Sequence, residues 1–277
     1  MRSRPVPEFG PVCGPDTVEW QVADGWQQGR GAWGGLTITR MAQAVADHEK
    51  SGRELRTLSA QILQPVTVGD YRVTVQCDRE GSAMSNWSVQ IFHAEVSGPV
   101  AQAQVITGSA RISDVQPDPA TWGTASVPDV GSYLDAPIVP VGPPFAPTFT
   151  ERLEFRPISP LPMSGNEATS LGWIRMPSRT WPGANWTASE LMGIIDAWWP
   201  ASYSLMNSMR PMATVAFSVH LLIDPESIAP IDGERAPLLH EASVSSAFGG
   251  YTSELRRLWT TDGRLVAENL QSIVVIK

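Results

Sequence analysis

Several chemical signatures are missing from this 277-residue chain, and each absence closes off a class of function. Its two cysteines, Cys13 and Cys77, lie at no metal-ligand spacing. A single disulfide stays open, and free thiols in a reducing compartment are the expectation. The four histidines (His48, His93, His220 and His240) form no H-x-x-x-H pair, so they read as surface or satisfied strand residues rather than metal ligands. No G-x-S-x-G elbow marks an α/β serine hydrolase. The glycine-rich residues 29–35 lack the G-K-[ST] ending of a phosphate-cradling loop. No metal or redox cofactor is implied. No run approaches the roughly 18 apolar residues of a membrane span. The first residues carry two arginines without an apolar segment after them, so no signal peptide is expected and the default compartment is cytoplasmic. A net charge of -8 argues against nucleic-acid binding through phosphate neutralisation, though a few local cations could still hold a small anion.

What the chain has is a large apolar fraction, 42% against 17% charged, which suffices for a sizeable core. Ile38, Met41, Ala42 and Val45 recur at spacings of three and four, which predicts a helix over residues 36–50. Period-two patterns predict strands over residues 58–68, 71–75, 87–96 and 100–112. Prolines then accumulate in a linker over residues 113–149, expected to wrap over a surface because it retains Val and Phe. Beyond it, strands are predicted at 149–157 and 170–176. Thr187 and Glu190 form a T-x-x-E capping box that opens a second helix over 188–199, with Leu191, Ile194, Ile195 and Trp198 apolar. Strands follow at 214–223, 238–246, 251–260 and 265–276, the last two joined by a turn at Thr261-Asp262-Gly263-Arg264.

The two halves overlay. Residues 56–60 match 213–217, which sets Thr57 on Thr214, and residues 91–105 match 258–271, which sets Val105 on Gln271. An internal duplication of helix plus antiparallel sheet accounts for this.

A repeated unit of this kind resembles the double-hotdog acyl-CoA thioesterases of the thioesterase II type. Gly29-Arg30-Gly31-Ala32-Trp33-Gly34-Gly35-Leu36 resembles that family's Gly-Gly lead-in to the first helix. Leu171-Gly172-Trp173-Ile174-Arg175-Met176 resembles its apolar-Trp-x-Arg strand. The resemblance implies an α+β chain of two tandem hotdog domains, residues 1–112 and 150–277, each a long helix wrapped by an antiparallel sheet. It implies hydrolysis of acyl-CoA to free acid and CoA, and three catalytic residues: Asp196 in the second helix, Thr214 opening the next strand, and Gln271 late in the last. The chain departs from the family after Thr214, where Val215-Ala216-Phe217-Ser218 replaces an Asp-His pair with aromatics. Hotdog surfaces commonly associate, so a homo-oligomer is also an expectation. A hydratase is disfavoured, since no Gly-Asp-x-Asn-Pro-x-His stretch opens either helix.

Read from the residues alone, Asp196 sits among Ile195, Ala197 and Trp199, where desolvation raises a carboxyl pKa toward that of a general base. The alternatives are that it faces solvent or pairs with Arg210. Gln271 could equally be a strand-edge glutamine, and Thr214 a threonine kept for β propensity. The first half has no carboxylate over residues 36–39 and so reads as catalytically empty. The rival function is a non-catalytic acyl-CoA or acyl-chain binder; tryptophans such as Trp173, Trp181, Trp186, Trp198 and Trp199 could line an apolar pocket in either case, and the trio is what discriminates.

Overall fold

The computed structural model describes residues 16–109 and 123–276. The first stretch forms β1 (Asp16–Val22), β2 (Gln27–Gln28), β3 (Gly31–Ala32), α1 (Gly34–His48), β4 (Glu54–Ile62), β5 (Gly69–Glu80), β6 (Met84–His93) and β7 (Pro99–Gly108). The second forms β8 (Glu154–Pro157), β9 (Thr169–Arg175), α2 (Ala188–Ile194), β10 (Met212–Leu221), β11 (Leu238–Phe248), β12 (Tyr251–Trp259) and β13 (Leu265–Val275). Eleven strands join in one sheet, ordered β1-β5-β6-β7-β4-β10-β13-β12-β11-β9-β8. Every pairing in it is antiparallel.

The order makes the duplication explicit. A strand, a helix and four further strands give β1-β5-β6-β7-β4 in the first half and β9-β11-β12-β13-β10 in the second, with β8 added at the edge. The halves meet where β4 pairs with β10, which closes two sheet edges that would otherwise stay open. At that seam Ser59 lies opposite Ser218, their hydroxyls 3.1 Å apart.

Irregularities repeat too. Bulges at Cys77/Arg79, Ile91/Phe92 and Leu55/Thr57 recur at Val244/Ser246, Leu258/Trp259 and Thr214/Ala216. In this register Val105 matches Gln271, as the sequence suggests: each lies opposite matching residues, Leu58 and Phe217. The Thr57–Thr214 match, however, is two residues out. Leu55 is the counterpart of Thr214, and Thr57 that of Ala216. The repeated bulge inserts a residue that sequence patterning does not reveal.

The apolar stripe of α1 (Ile38, Met41, Ala42 and Val45, each at most 1% exposed) packs on β4–β7. Burying one such aliphatic chain contributes roughly 1.5–3 kcal/mol before entropy is counted. The opposite flank meets α2 backbone to backbone at Gly35 and Gly193. A Cβ on Gly35 would lie 2.4 Å from the Gly193 carbonyl, and one on Gly193 would lie 1.9 Å from Thr39 Oγ1.

The second helix begins as expected, with the Thr187–Glu190 capping box formed. It ends early, at Ile194, so Asp196 lies in the turn after the helix and not inside it. There the amides of Asp196 and Ala197 bond back three residues, to Gly193 and Ile194, tightening the chain before Pro200. Three further expectations change or resolve. His240 is fully buried, stacked 5.2 Å from Trp198, and neither ring nitrogen has a hydrogen-bond partner. The described part of the linker, from residue 123, does wrap a surface. Val130, Tyr133 and Ala136 cover Trp173, Leu239 and Trp259, and Arg156 donates to the carbonyls of Tyr133 and Ala136. Cys77 has no disulfide partner among the described residues, and Cys13 lies outside them. No helix among the described residues is long and apolar enough to cross a membrane, and no cluster there is arranged to hold a metal ion.

Candidate active site

The three residues singled out in the sequence converge on the helix-bearing face of the sheet. Gln271 Nε2 donates to Asp196 Oδ1 at 3.0 Å, and Thr214 Oγ1 donates to Gln271 Oε1 at 3.2 Å. The chain of donors ends on the carboxylate, so it favours an ionised Asp196. The bulge after Thr214 makes this possible. Phe217, Val219 and Leu221 are the inward residues of β10, and strict alternation would carry that parity back to Val215. The extra residue shifts it to Thr214, which therefore faces Gln271.

Asp196 belongs to the second half but abuts the first turn of α1 in the first half. A Cβ on Gly34 would stand 2.7 Å from Asp196 Oδ2, and the neighbouring Gly35 N–H favours the ionised carboxylate. The Gly-Gly lead-in thus gives the carboxylate room against the helix N-terminus, whose dipole favours an anion. Just upstream, the small β2–β3 hairpin seats Trp33 at the helix start, stacked 5.0 Å from Phe149. The helix start of the first half therefore lies directly against Asp196. At the positions of Thr214 and Gln271 it carries Leu55 and Val105, both buried and apolar.

Behind the carboxylate lies a pair the sequence reading missed. Arg256 Nε donates to Glu254 Oε1 at 2.7 Å, and its Nη1 sits 4.0 Å from Asp196 Oδ1. Arg210, the partner considered from sequence, is not the one that approaches it. The Asp196 side chain keeps 7% of its surface. Burial pushes its pKa up to about 6, against the opposing pull of Arg256, the Gln271 amide and the Gly35 N–H, with Glu254 adding to the rise. A carboxylate near pH 6 is ionised at neutral pH and still basic enough to accept a proton from water.

A groove of about 570 Å³ lies on the other face of the sheet, walled by residues such as Ser59, Gln61, Gln90, Gln102 and Ser218. Gln271 borders it, but the Gln271 amide meets Asp196 on the helix side, so the groove is not the site of the trio.

Comparison with known proteins decides the family. The acyl-CoA thioesterase N-terminal domain family matches residues 22–108, and the acyl-CoA thioesterase C-terminal domain family matches residues 117–275. The chain belongs to the acyl-CoA thioesterase family. No curated protein matches it. Among solved structures, a hot dog fold protein of unknown function from Alicyclobacillus acidocaldarius is similar at 22% identity and a TM-score of 0.81, over 98% of this chain and 95% of that one. The acyl-CoA thioesterase II TesB2 of Mycobacterium marinum is similar at 14% identity and a TM-score of 0.67, over 96% of each chain. The tesB protein of Mycobacterium avium subspecies paratuberculosis is similar at 16% identity and a TM-score of 0.71, over 94% and 93%. These three likenesses establish a hot dog fold.

In this thioesterase the residues beside Asp196 that the sequence reading missed are Glu254 and Arg256, while Gly34 and Gly35 were noted there only as a helix lead-in. A signal for the last two exists. In β12 they alternate with Leu258 at period two, so strand patterning sets both charges on its inward face.

Proposed function

We propose that this thioesterase hydrolyses acyl-CoA by direct attack of a water activated by Asp196. The observation that carries the proposal is the contact of a buried carboxylate of raised pKa with the Gln271–Thr214 relay on one side and the α1 N-terminus on the other. Gln271 occupies Oδ1, leaving Oδ2, on the Gly34 side, as the base. It takes one proton from water as the oxygen bonds to the thioester carbonyl carbon. The oxyanion that forms is stabilised by the positive N-terminal end of α1. Collapse breaks the C–S bond, and the proton on Asp196 passes to the departing thiolate, giving free acid and CoA. Thr214 fixes the Gln271 amide so that its N–H side stays on the carboxylate.

In this reading each half is a hotdog unit, residues 1–112 and 150–277, its sheet wrapped on its own helix, and residues 113–149 form the linker. One unit supplies base and relay, and the other supplies the helix start. The test is CoA release and free-acid formation over a panel of acyl-CoA chain lengths. Equal amounts of the two products support hydrolysis, whereas binding of acyl-CoA without release favours an acyl-binding protein.

A further inference from the structure

Asp196 stands in the short turn after α2, and the side chains of β12 add to the two backbone bonds that hold it. Arg256 Nη1 donates to the carbonyls of both Ile195 and Trp198, each at 3.2 Å, and so brackets Asp196 in the chain. Arg256 is itself held by Glu254 Oε1, and Glu254 Oε2 accepts the amide of Ala201 at 2.8 Å. The pair thus grips residues 195–201 at three backbone points. Both side chains are buried, Arg256 2% exposed and Glu254 not at all. In the sheet register Glu254 lies directly opposite Gln271, next to the relay.

The duplication supplies an internal control. Trp87 lies opposite Val105 in the first half as Glu254 lies opposite Gln271 in the second, so Trp87 and Val89 are the counterparts of Glu254 and Arg256. Both are buried. The same strand of the same fold therefore carries no charge at these two positions where there is no Asp196 to serve, and Trp87 Nε1 donates instead to Thr107 Oγ1 at 3.1 Å. A buried ion pair is a poor device for stability, since apolar residues of similar volume often do as well or better. Its presence in one half alone needs another reason.

We propose that Glu254 and Arg256 are a positioning pair that fixes the Asp196 turn and holds its carboxylate in the working geometry. The proposal rests on the reading of Asp196 as the base. The groups facing the carboxylate are Gly35 from α1, Gln271 from β13, and Arg256 and Glu254 from β12, while His240 from β11, packed on Trp198, is held neutral by burial and by Arg256. Arg256 attracts the ionised form more than Glu254 repels it. Losing both therefore moves the acid limb of the rate profile to higher pH.

The experiment compares the parent, the double variant Glu254→Leu/Arg256→Met, Arg256→Lys and Asp196→Asn in thiol release from one acyl-CoA that the parent hydrolyses. The double variant is expected to fold, to lose kcat on the order of tenfold to a hundredfold, to keep KM within about twofold, and to shift its acid limb upward. Arg256→Lys keeps the charge without the fork and is expected to hold the acid limb near the parent's while kcat falls. A folded double variant with kcat within about twofold of the parent and an unmoved limb overturns the proposal. Should the double variant not fold, Arg256→Lys decides, and an undiminished kcat there overturns it. Asp196→Asn separates the two ideas. If it is inactive while the pair variants match the parent, only the positioning role falls; if it stays active, the base assignment falls and the positioning role with it.

Discussion

Replacing Asp196 by Asn should stabilise this protein, and do so only above a certain pH. The carboxyl is raised from 3.8 to about 6 in the fold, chiefly by burial. A group whose folded pKa is raised stabilises the native state when protonated. That contribution is fully present below pH 3.8 and is lost as pH rises through about 6. The gap is about two pKa units at about 1.36 kcal/mol each, so the ionised form costs about 3 kcal/mol at pH 7.5. Asparagine keeps the shape and its Oδ1 can still accept the Gln271 amide, but it does not titrate. The difference in melting temperature, variant minus parent, should therefore grow between pH 4 and pH 7 and then level off. At roughly 2–4 °C per kcal/mol for a chain of this order, the growth should amount to about 5–10 °C. Differential scanning calorimetry at half-unit pH steps in low salt reads it directly. A difference that stays flat across that range would show that the carboxyl is not strained by burial, and the assignment of Asp196 as a poised base would lose its physical ground.

Other outcomes follow from the same geometry. The kcat/KM of the parent should fall about tenfold per pH unit below pH 6, with Asp196 protonated and no longer a base; stopped-time thiol release across pH 4.5–8 checks it. Gly34→Ala places a methyl 2.7 Å from Asp196 Oδ2 and should cut kcat on the order of tenfold or more while melting close to the parent. Gly35→Ala meets the Trp33 ring at 2.2 Å and the Gly193 carbonyl at 2.4 Å, so it should lower the melting temperature as well, because neither a buried indole nor a helix backbone can yield cheaply. Thr214→Val removes the hydroxyl that orders Gln271 and should lower kcat with little effect on KM, whereas Leu55→Val, at the matching position of the first half, should leave turnover unchanged.

Much of the fold was legible because it rests on local periodicity. The apolar stripe of α1, the Thr187–Glu190 capping box and the paired strand patterns are all set by residues near one another in the chain. The early end of α2 was not legible, since the guanidinium that takes the Ile195 and Trp198 carbonyls comes from Arg256, some sixty residues later. The two-residue slip between Thr57 and Thr214 has a similar cause. A bulge changes strand parity without leaving a mark in composition, so a Thr-to-Thr match looked better than the true Leu55 counterpart. Asp196 and Gln271 stood out through residue type and resemblance. That the first half lends its helix start to Asp196 emerges only from the approach of Gly34 and Gly35 across the α1–α2 crossing.

The central claim is that Asp196 is the base, and single-residue kinetics test it most directly. With an acyl-CoA that the parent turns over, Asp196→Asn should fold, bind the substrate with an affinity close to the parent's, and lose kcat by a factor of about 10²–10⁴ at pH 7.5. A folded Asp196→Asn enzyme that releases CoA at the parent's rate would contradict the account.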